Sequence, residues 1–397
     1  MESVELQALP YHRAVVDHLR AKAPAVWRHF ASESYRAEHQ EALRLHLLQT
    51  TVVLKRESHP EIYEVVDSVA KALQLGVPVE LFQAQMDGSM NAALMFQPTV
   101  ARIVFHGPVH DFLDADEFRA LLGHELAHHR LWTLDGGIHL TAQRAVDGMV
   151  AMAALESAME TARLLSLSSE VFADRAGLKV SDLDAAVRTL IRMRTGLSNA
   201  VAKDFLEQSR ELLSKQGTGA RGWSHPDAHL RALALEWFAA DGVEADPRIR
   251  TLLEGPIQLD DLDLLRKEEL AAVTRRVVDA LLQPEWFRSD AVMGHARLLF
   301  DDYEVLEAEI ADPKELLAPW GDTVRDFLAL ILVDFVAVDP QLEDLPLCQA
   351  HAVAEFLGLE KHLIKQVNKK LKRTKKVIKA ALEERDDKLN KADGSVS

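Results

Sequence analysis

The run from residue 116 to residue 132 constrains the fold of this chain more than any other stretch. It contains His124-Glu125-Leu-Ala-His128, in which two histidines stand four residues apart and a glutamate follows the first. On a helix, residues four apart share a face, so His124 and His128 can present two imidazole nitrogens to one metal ion. Acidic residues precede the run and two glycines follow it, as is typical of a helix start and stop. The sequence therefore predicts a helix that carries two ligands of a zinc ion.

The composition is that of a globular protein and argues against several other classes. A chain of 397 residues is long enough for two domains with buried cores. The single cysteine, Cys348, excludes an intramolecular disulfide and a multi-cysteine zinc site, and it favours a reducing compartment. A net charge of −16 does not favour a nucleic-acid partner. The N-terminus has no signal-peptide pattern and no window of about 18 residues is free of charge, so we predict no transmembrane segment and a cytoplasmic location.

Helical periodicity dominates the chain, with one short group of strands. Residues 1–57 are predicted to be an N-terminal helical segment, and residues 256–397 a helical C-terminal domain with a basic final helix and a disordered tail. The strand-like runs directly precede the histidine helix, at 79–84, 92–96 and 101–106. We therefore predict a mainly α fold with a small β-sheet (α+β), in which residues 58–255 form the metal-binding domain.

Two imidazoles do not complete a hydrolytic zinc site, which needs a third protein ligand and one open position. Glu170 is the strongest candidate, on a helix predicted to follow a serine-rich break at 166–169. Asp174 lies one turn further along, where it can accept the outer N–H of a ligating histidine. If Glu170 fails, the alternatives are the histidines that flank the predicted zinc helix, His106, His110 and His139. We therefore predict one Zn²⁺ per chain, held by His124, His128 and Glu170.

Several motifs occur together in an informative order. They are His59-Pro60-Glu-Ile-Tyr, Leu73-Gln-Leu-Gly-Val-Pro78, Met90-Asn91-Ala92-Ala93, the zinc-helix run, Ser169-Glu170-Val-Phe-Ala-Asp174-Arg-Ala-Gly177, and Ser224-His225-Pro226 with Arg231. Over roughly residues 55–240 this combination resembles the HtpX and CAAX-prenyl-endopeptidase family of zinc metallopeptidases, of the gluzincin type. Many members of that family are embedded in membranes, whereas this chain lacks their spans and resembles the soluble members.

The resemblance implies a gluzincin-like zinc metallopeptidase domain and an endopeptidase activity on a peptide or protein substrate. Glu125 would act as general base on a zinc-activated water. His225 would stabilise the oxyanion and Arg231 would contact the site, although a purely structural role is an equal alternative for both. Asn91 and Ala92 would belong to the edge strand that aligns an extended substrate.

Two further hypotheses come from outside this motif set. The chain can instead be a catalytically silent scaffold or regulatory protein that keeps a peptidase fold and acts through its C-terminal helical domain. Residues 256–397 are in either case a possible binding region for a protein partner. The basic run at 365–379 can bind an anionic partner, but its apolar residues at helical spacing favour a solvated helix face.

Overall fold

The structure is a computed structural model, which describes residues 6–32, 47, 49–85, 90–153, 155–219, 227–306 and 312–394. The chain forms two compact units, Met1–Gly255 and Pro256–Ser397.

The first unit is a set of helices around one small sheet. Its strands are β1 (Thr51–Leu54), β2 (Val79–Ala84), β3 (Asn91–Gln97) and β4 (Val100–His106). Its helices are α1 (Pro10–Lys22), α2 (Pro24–Ala31), α3 (Pro60–Ala72), α4 (Val109–Phe112), α5 (Ala115–Thr133), α6 (Ile138–Ala153), α7 (Glu156–Val180), α8 (Leu183–Thr195), α9 (Ala202–Gln216), α10 (Ala228–Asp241) and α11 (Asp246–Glu254). Short 3-10 turns lie at Leu134–Gly136 and Gly242–Ala245.

The sheet is mixed, with strand order β1-β2-β4-β3. Strand β4 is central and pairs parallel to β2, with Val79 opposite Ala101, and antiparallel to β3, with Asn91 opposite His106. Residues 100–105 of β4 are all buried, as expected for a strand covered on both faces. Strand β3 therefore forms one edge of the sheet, and β1 forms the other.

The prediction that residues 1–57 form only helices is wrong at its end, where the chain forms β1. The stretch Thr-Val-Val-Leu is rich in β-branched residues, which favour a strand. It pairs antiparallel to β2, with Val53 opposite Phe82. The stretch is too short for a clear alternation of polar and apolar residues, so pairing with β2 decides its conformation.

Helix α5 is the predicted zinc helix, and a capping box determines where it begins. The Asp114 side chain accepts from the backbone of Glu117, while the Glu117 carboxylate accepts from the backbone of Asp114. Glu117 is fully buried, and its charge is balanced by Arg188 and Arg192 of α8. This carboxylate therefore both caps α5 and ties it to a neighbouring helix.

Helices α5 and α7 lie unusually close together because a glycine of each faces the other. A Cβ atom on Gly123 would lie 2.9 Å from the Cα of Gly177, and a Cβ on Gly177 would lie 2.8 Å from the carbonyl oxygen of Ala120. These distances are shorter than ordinary van der Waals contacts. Glycine at both positions lets the histidine-bearing and glutamate-bearing helices approach each other.

The predicted serine-rich break at 166–169 is absent, because α7 runs unbroken through it from Glu156 to Val180. The hydroxyl of Ser169 donates to the carbonyl of Leu165 one turn back, so the serine hydrogen-bonds within the helix instead of ending it. Glu170 consequently lies in the middle of a long buried helix, which holds its side chain more firmly than a helix end would.

The second unit is helical throughout its described part. Its helices are α12 (Leu264–Leu281), α13 (Asp290–Leu299), α14 (Pro313–Leu317), α15 (Asp322–Val336), α16 (Leu345–Leu357), α17 (Glu360–Leu371), α18 (Lys375–Leu382) and α19 (Arg385–Gly394), with 3-10 turns at Leu259–Asp261, Glu285–Phe287 and Pro340–Leu342. Phe287, Leu328 and Phe335 are fully buried in its core. The hydroxyl of buried Tyr303 donates to Asp279, which satisfies both polar groups inside that core.

The fold class predicted from the sequence is confirmed at the level of a mainly helical protein with a small mixed sheet. In the part of the chain that the structure covers, no helix is both long enough and apolar enough to cross a bilayer. Helix α19 extends to Gly394, and the last three residues of the predicted tail lie outside the described part.

Candidate metal centre

His124 and His128 of α5 point towards Glu170 of α7. The Nε2 atom of His124 lies 3.5 Å from Oε2 of Glu170, and the Nε2 atom of His128 lies 3.5 Å from Oε1 of the same carboxylate. The three donor atoms lie within 4.8 Å of one another. Two nitrogens and one oxygen therefore converge on one point between the two helices.

The spacing of these donors fits a zinc ion. Tetrahedral zinc holds nitrogen and oxygen ligands at about 2.0 to 2.2 Å, which places neighbouring ligand atoms about 3.4 Å apart. Both histidine–carboxylate distances, at 3.5 Å, agree with that value. Two histidines and one glutamate also match the donor set of hydrolytic zinc sites, which leave one position open.

Asp174 orients the ring of His124, and Arg231 in turn binds Asp174. The Nδ1 atom of His124 lies 3.0 Å from Oδ1 of Asp174, so the carboxylate accepts the Nδ1 hydrogen and leaves the Nε2 lone pair facing Glu170. Arg231 of α10 donates to Asp174 through Nε at 2.8 Å and through Nη2 at 2.5 Å. Its Nη1 atom also lies 3.4 Å from Glu170.

The pKa values around the ion pair of Asp174 and Arg231 follow from burial and neighbouring charge. Burial disfavours the Asp174 carboxylate, but the charge and hydrogen bonds of Arg231 outweigh it and lower the pKa of Asp174 below its ordinary value. Burial also opposes a charge on His124, yet the hydrogen bond to Asp174 and the charge of Glu170 raise its pKa. A metal ion that binds the Nε2 atom of His124 would compete with a proton for that atom.

His128 is held by aromatic contacts. Burial and then the neighbouring His124 lower the pKa of His128 to about 4, so the ring is neutral at pH 7 and its lone pair is available. Its centroid lies 5.9 Å from that of Trp132, one helical turn further on. Trp132 in turn packs edge-on against Phe96 of β3, with centroids 5.2 Å apart. Among the residues that the structure describes, the ring of His128 has no hydrogen-bonding partner comparable to Asp174.

Glu125 faces the same cavity from the middle of α5. The residue is 7% exposed, and burial raises the pKa of its carboxyl to about 7. His124 and the backbone amide of Leu94 on β3 oppose this rise. A carboxyl with a pKa near neutral pH can both accept and release a proton, which suits general acid–base chemistry.

The site opens into a cavity of about 730 Å³. One wall is the start of the edge strand β3, where the predicted substrate-binding residues Asn91 and Ala92 both line the cavity. Asn91 is exposed, whereas Ala92 is 5% exposed. Within the part of the chain that the structure describes, β3 pairs with β4 along one side only, so an extended peptide could add along its other side.

Other histidines considered from the sequence have different positions. Among the described residues, the predicted alternative ligands His106, His110 and His139 do not join a group of three metal-binding side chains; His139 instead lies 3.4 Å from Asp135. His129 faces away from the site, and its Nε2 atom contacts the carbonyl of Gln97 at 2.9 Å. His225 lies outside the described residues, as do its neighbours Ser224 and Pro226.

Sequence reasoning missed Trp132 and Phe96. The position of Trp132, four residues after His128 on the same helix face, is a signal that could have identified it. Phe96 could not be found in this way, because its contact with Trp132 depends on how the sheet packs against α5.

No family model, no curated protein and no solved structure matches this chain.

Proposed function

We propose that this protein is a zinc-dependent endopeptidase whose ligands are His124, His128 and Glu170. The observation that carries the proposal is the pair of 3.5 Å distances from the histidine Nε2 atoms to the two oxygens of one buried carboxylate. The motif combination that resembles the HtpX and CAAX-prenyl-endopeptidase family supports the same assignment and a gluzincin-like domain.

A zinc ion at this position would supply a Lewis acid that lowers the pKa of water towards neutrality and polarises a peptide carbonyl. Glu125 would accept the proton of the attacking water and pass it to the leaving amine. Its buried position in the cavity beside the proposed ligands suits both steps. The substrate would lie extended beside β3, where backbone hydrogen bonds align the chain independently of its side chains.

Arg231 has a positioning role in this mechanism. Its guanidinium is engaged with Asp174 and lies close to Glu170, so it orients one ligand through the Asp174–His124 hydrogen bond and balances the charge of another. His225 remains our sequence-based prediction for the oxyanion donor.

We further propose that the protein works in the cytoplasm. The only cysteine, Cys348, is buried and unpaired, which suits a reducing compartment.

Metal analysis and peptide cleavage test the proposal together. Elemental analysis should find one zinc per chain in the wild type and little zinc in the His124→Ala and Glu170→Ala variants. His110→Ala serves as the matched control, since it removes a histidine of α4 that lies outside the group of three and should leave the zinc content unchanged.

Glu125→Gln separates catalysis from metal binding. This variant should keep its zinc but lose about 10²-fold or more of the cleavage rate on a mixed peptide library read by mass spectrometry. Zinc retention with no cleavage by either the wild type or Glu125→Gln would favour the silent scaffold.

A further inference from the structure

The second unit carries a strongly basic segment in an acidic chain. Between residues 361 and 382 there is no aspartate or glutamate, although the whole chain has a net charge of −16. The cations of this segment are Lys361, Lys365, Lys369, Lys370, Lys372, Arg373, Lys375, Lys376 and Lys379. Such a concentration of one sign creates a local positive potential that attracts an anionic partner.

The segment folds into two helices, α17 and α18, with a groove between them. The groove has a volume of about 830 Å³. Its apolar lining consists of Ile364 of α17 with Ile378 and Leu382 of α18. Ile378 is 3% exposed, and the other two are half-buried. The groove is therefore an apolar depression in a basic surface, and not a uniformly charged helix face.

Three lysines stand along this groove, and two of them have no acidic partner. Lys365 forms an ion pair with Asp326. For Lys361 and Lys379, both exposed, no carboxylate of the described chain lies within ion-pairing distance. Glu383 adds a single negative charge to the lining. The rim therefore offers unpaired ammonium groups directly beside apolar side chains.

We propose that this groove binds an acidic amphipathic helix of a partner protein. Apolar side chains of such a helix, spaced three or four residues apart, would enter the depression, as in other helix-in-groove complexes. Its flanking carboxylates would reach Lys361 and Lys379, which would fix the orientation of the helix and speed its encounter with the groove.

The same features do not suit a nucleic acid or a lipid surface. Single-stranded nucleic acids stack their bases on aromatic side chains, and residues 361–382 contain no phenylalanine, tryptophan or tyrosine. A bilayer is entered by apolar side chains that project outward, often with aromatic residues at the interface. Here the most buried apolar residue of the groove, Ile378, is recessed between two helices.

Fluorescence anisotropy on the full-length protein tests this proposal. The probe is a labelled helical peptide of about 18 residues, with leucines on one face and glutamates on the other. A peptide of the same composition in scrambled order keeps the charge but loses the apolar face. The first peptide should bind saturably, and the scrambled one should bind at least about tenfold more weakly.

Two charge-reversal variants locate the binding. Lys361→Glu with Lys379→Glu changes the rim, whereas Lys369→Glu with Lys372→Glu makes the same change of charge on exposed residues outside the groove. The rim variant should raise the Kd of the peptide at least about tenfold, and the matched variant should change it much less. Circular dichroism should show that both variants keep the wild-type helix content.

Equal weakening by the two variants would overturn the proposal, because it would indicate diffuse electrostatic attraction. Equal binding of the ordered and scrambled peptides, or no binding of either, would also overturn it. A single-stranded RNA or anionic vesicles that bind more tightly than the peptide, and that lose binding only in the rim variant, would assign the groove to that other ligand.

Discussion

Replacing Asp174 with asparagine tests whether the residues behind the proposed zinc ligands determine metal affinity. The Asp174 carboxylate is 6% exposed and contacts the Nδ1 atom of His124 and two nitrogens of Arg231. Asparagine keeps the size of the side chain but removes its charge. The substitution therefore weakens the hydrogen bond that orients His124 and leaves the half-buried Arg231 with Glu170 as its nearest carboxylate, at 3.4 Å.

Two effects of different size should follow. Loss of the carboxylate that orients a zinc-binding histidine typically weakens metal affinity about 10- to 100-fold, or about 1.4 to 2.7 kcal/mol. Stronger attraction of Arg231 to Glu170 would add to this loss, because it draws the third ligand away from the metal. In the metal-free protein, the broken buried ion pair should lower the free energy of unfolding by about 3 to 5 kcal/mol.

Competition with a chromophoric chelator measures the first effect, and urea unfolding of the metal-free protein measures the second. Asp184→Asn is a suitable control, since Asp184 is an exposed partner of Arg188. This control should change the free energy of unfolding by less than about 1 kcal/mol and leave zinc affinity unchanged. A zinc affinity within twofold of the wild type in Asp174→Asn, with the fold intact, would refute the idea that Asp174 orients a metal ligand.

Three further perturbations test other parts of the site. Trp132→Ala should weaken zinc affinity about tenfold and alter the absorption spectrum of the Co²⁺-substituted protein, whereas Trp132→Phe should keep most of the packing on His128. Equal spectra for the wild type and Trp132→Ala would contradict a role of Trp132 at the metal site. Gly177→Ala should lower the free energy of unfolding by about 1 to 3 kcal/mol and weaken zinc binding, because the new Cβ separates α5 from α7. The control is Gly294→Ala, whose new Cβ meets no atom within 4 Å and should leave both the free energy of unfolding and zinc binding unchanged. Burial, and then the charge of a neighbouring histidine, lower the pKa of His12 to about 3, against about 6.5 in the unfolded chain. Between pH 6.5 and pH 3 the unfolded state therefore binds more protons at His12, and the free energy of unfolding should fall by about 1.4 kcal/mol for each pH unit across that range. His12→Gln should remove that contribution in urea titrations of the metal-free protein, and an unchanged pH slope would show that His12 is not its source.

Much of the secondary structure could be predicted from local pattern. The predicted zinc helix and the three strands that precede it all lie within a residue or two of their expected positions. The two main errors have physical causes. Strand β1 was missed because four residues carry too little periodicity. A helix break was expected at 166–169 because serine often ends helices, whereas the hydroxyl of Ser169 here donates to the carbonyl of Leu165 within the helix.

The sequence by itself determined which residues lie on the same face of a single helix. The pitch of α5 places His124, His128 and Trp132 on one face, and that relation needs no knowledge of the rest of the fold. The relation of Asp174 to Glu170, one turn apart on α7, is of the same kind.

Only the tertiary structure decided how these helices meet. The approach of Glu170 to 3.5 Å from both histidines depends on the close packing that Gly123 and Gly177 allow, and no spacing in the sequence encodes that distance. The same is true of Arg231, which comes from a third helix. The physical reason is that a helix repeats within a few residues and can be predicted locally, whereas a metal centre depends on the packing of side chains that are far apart in the chain.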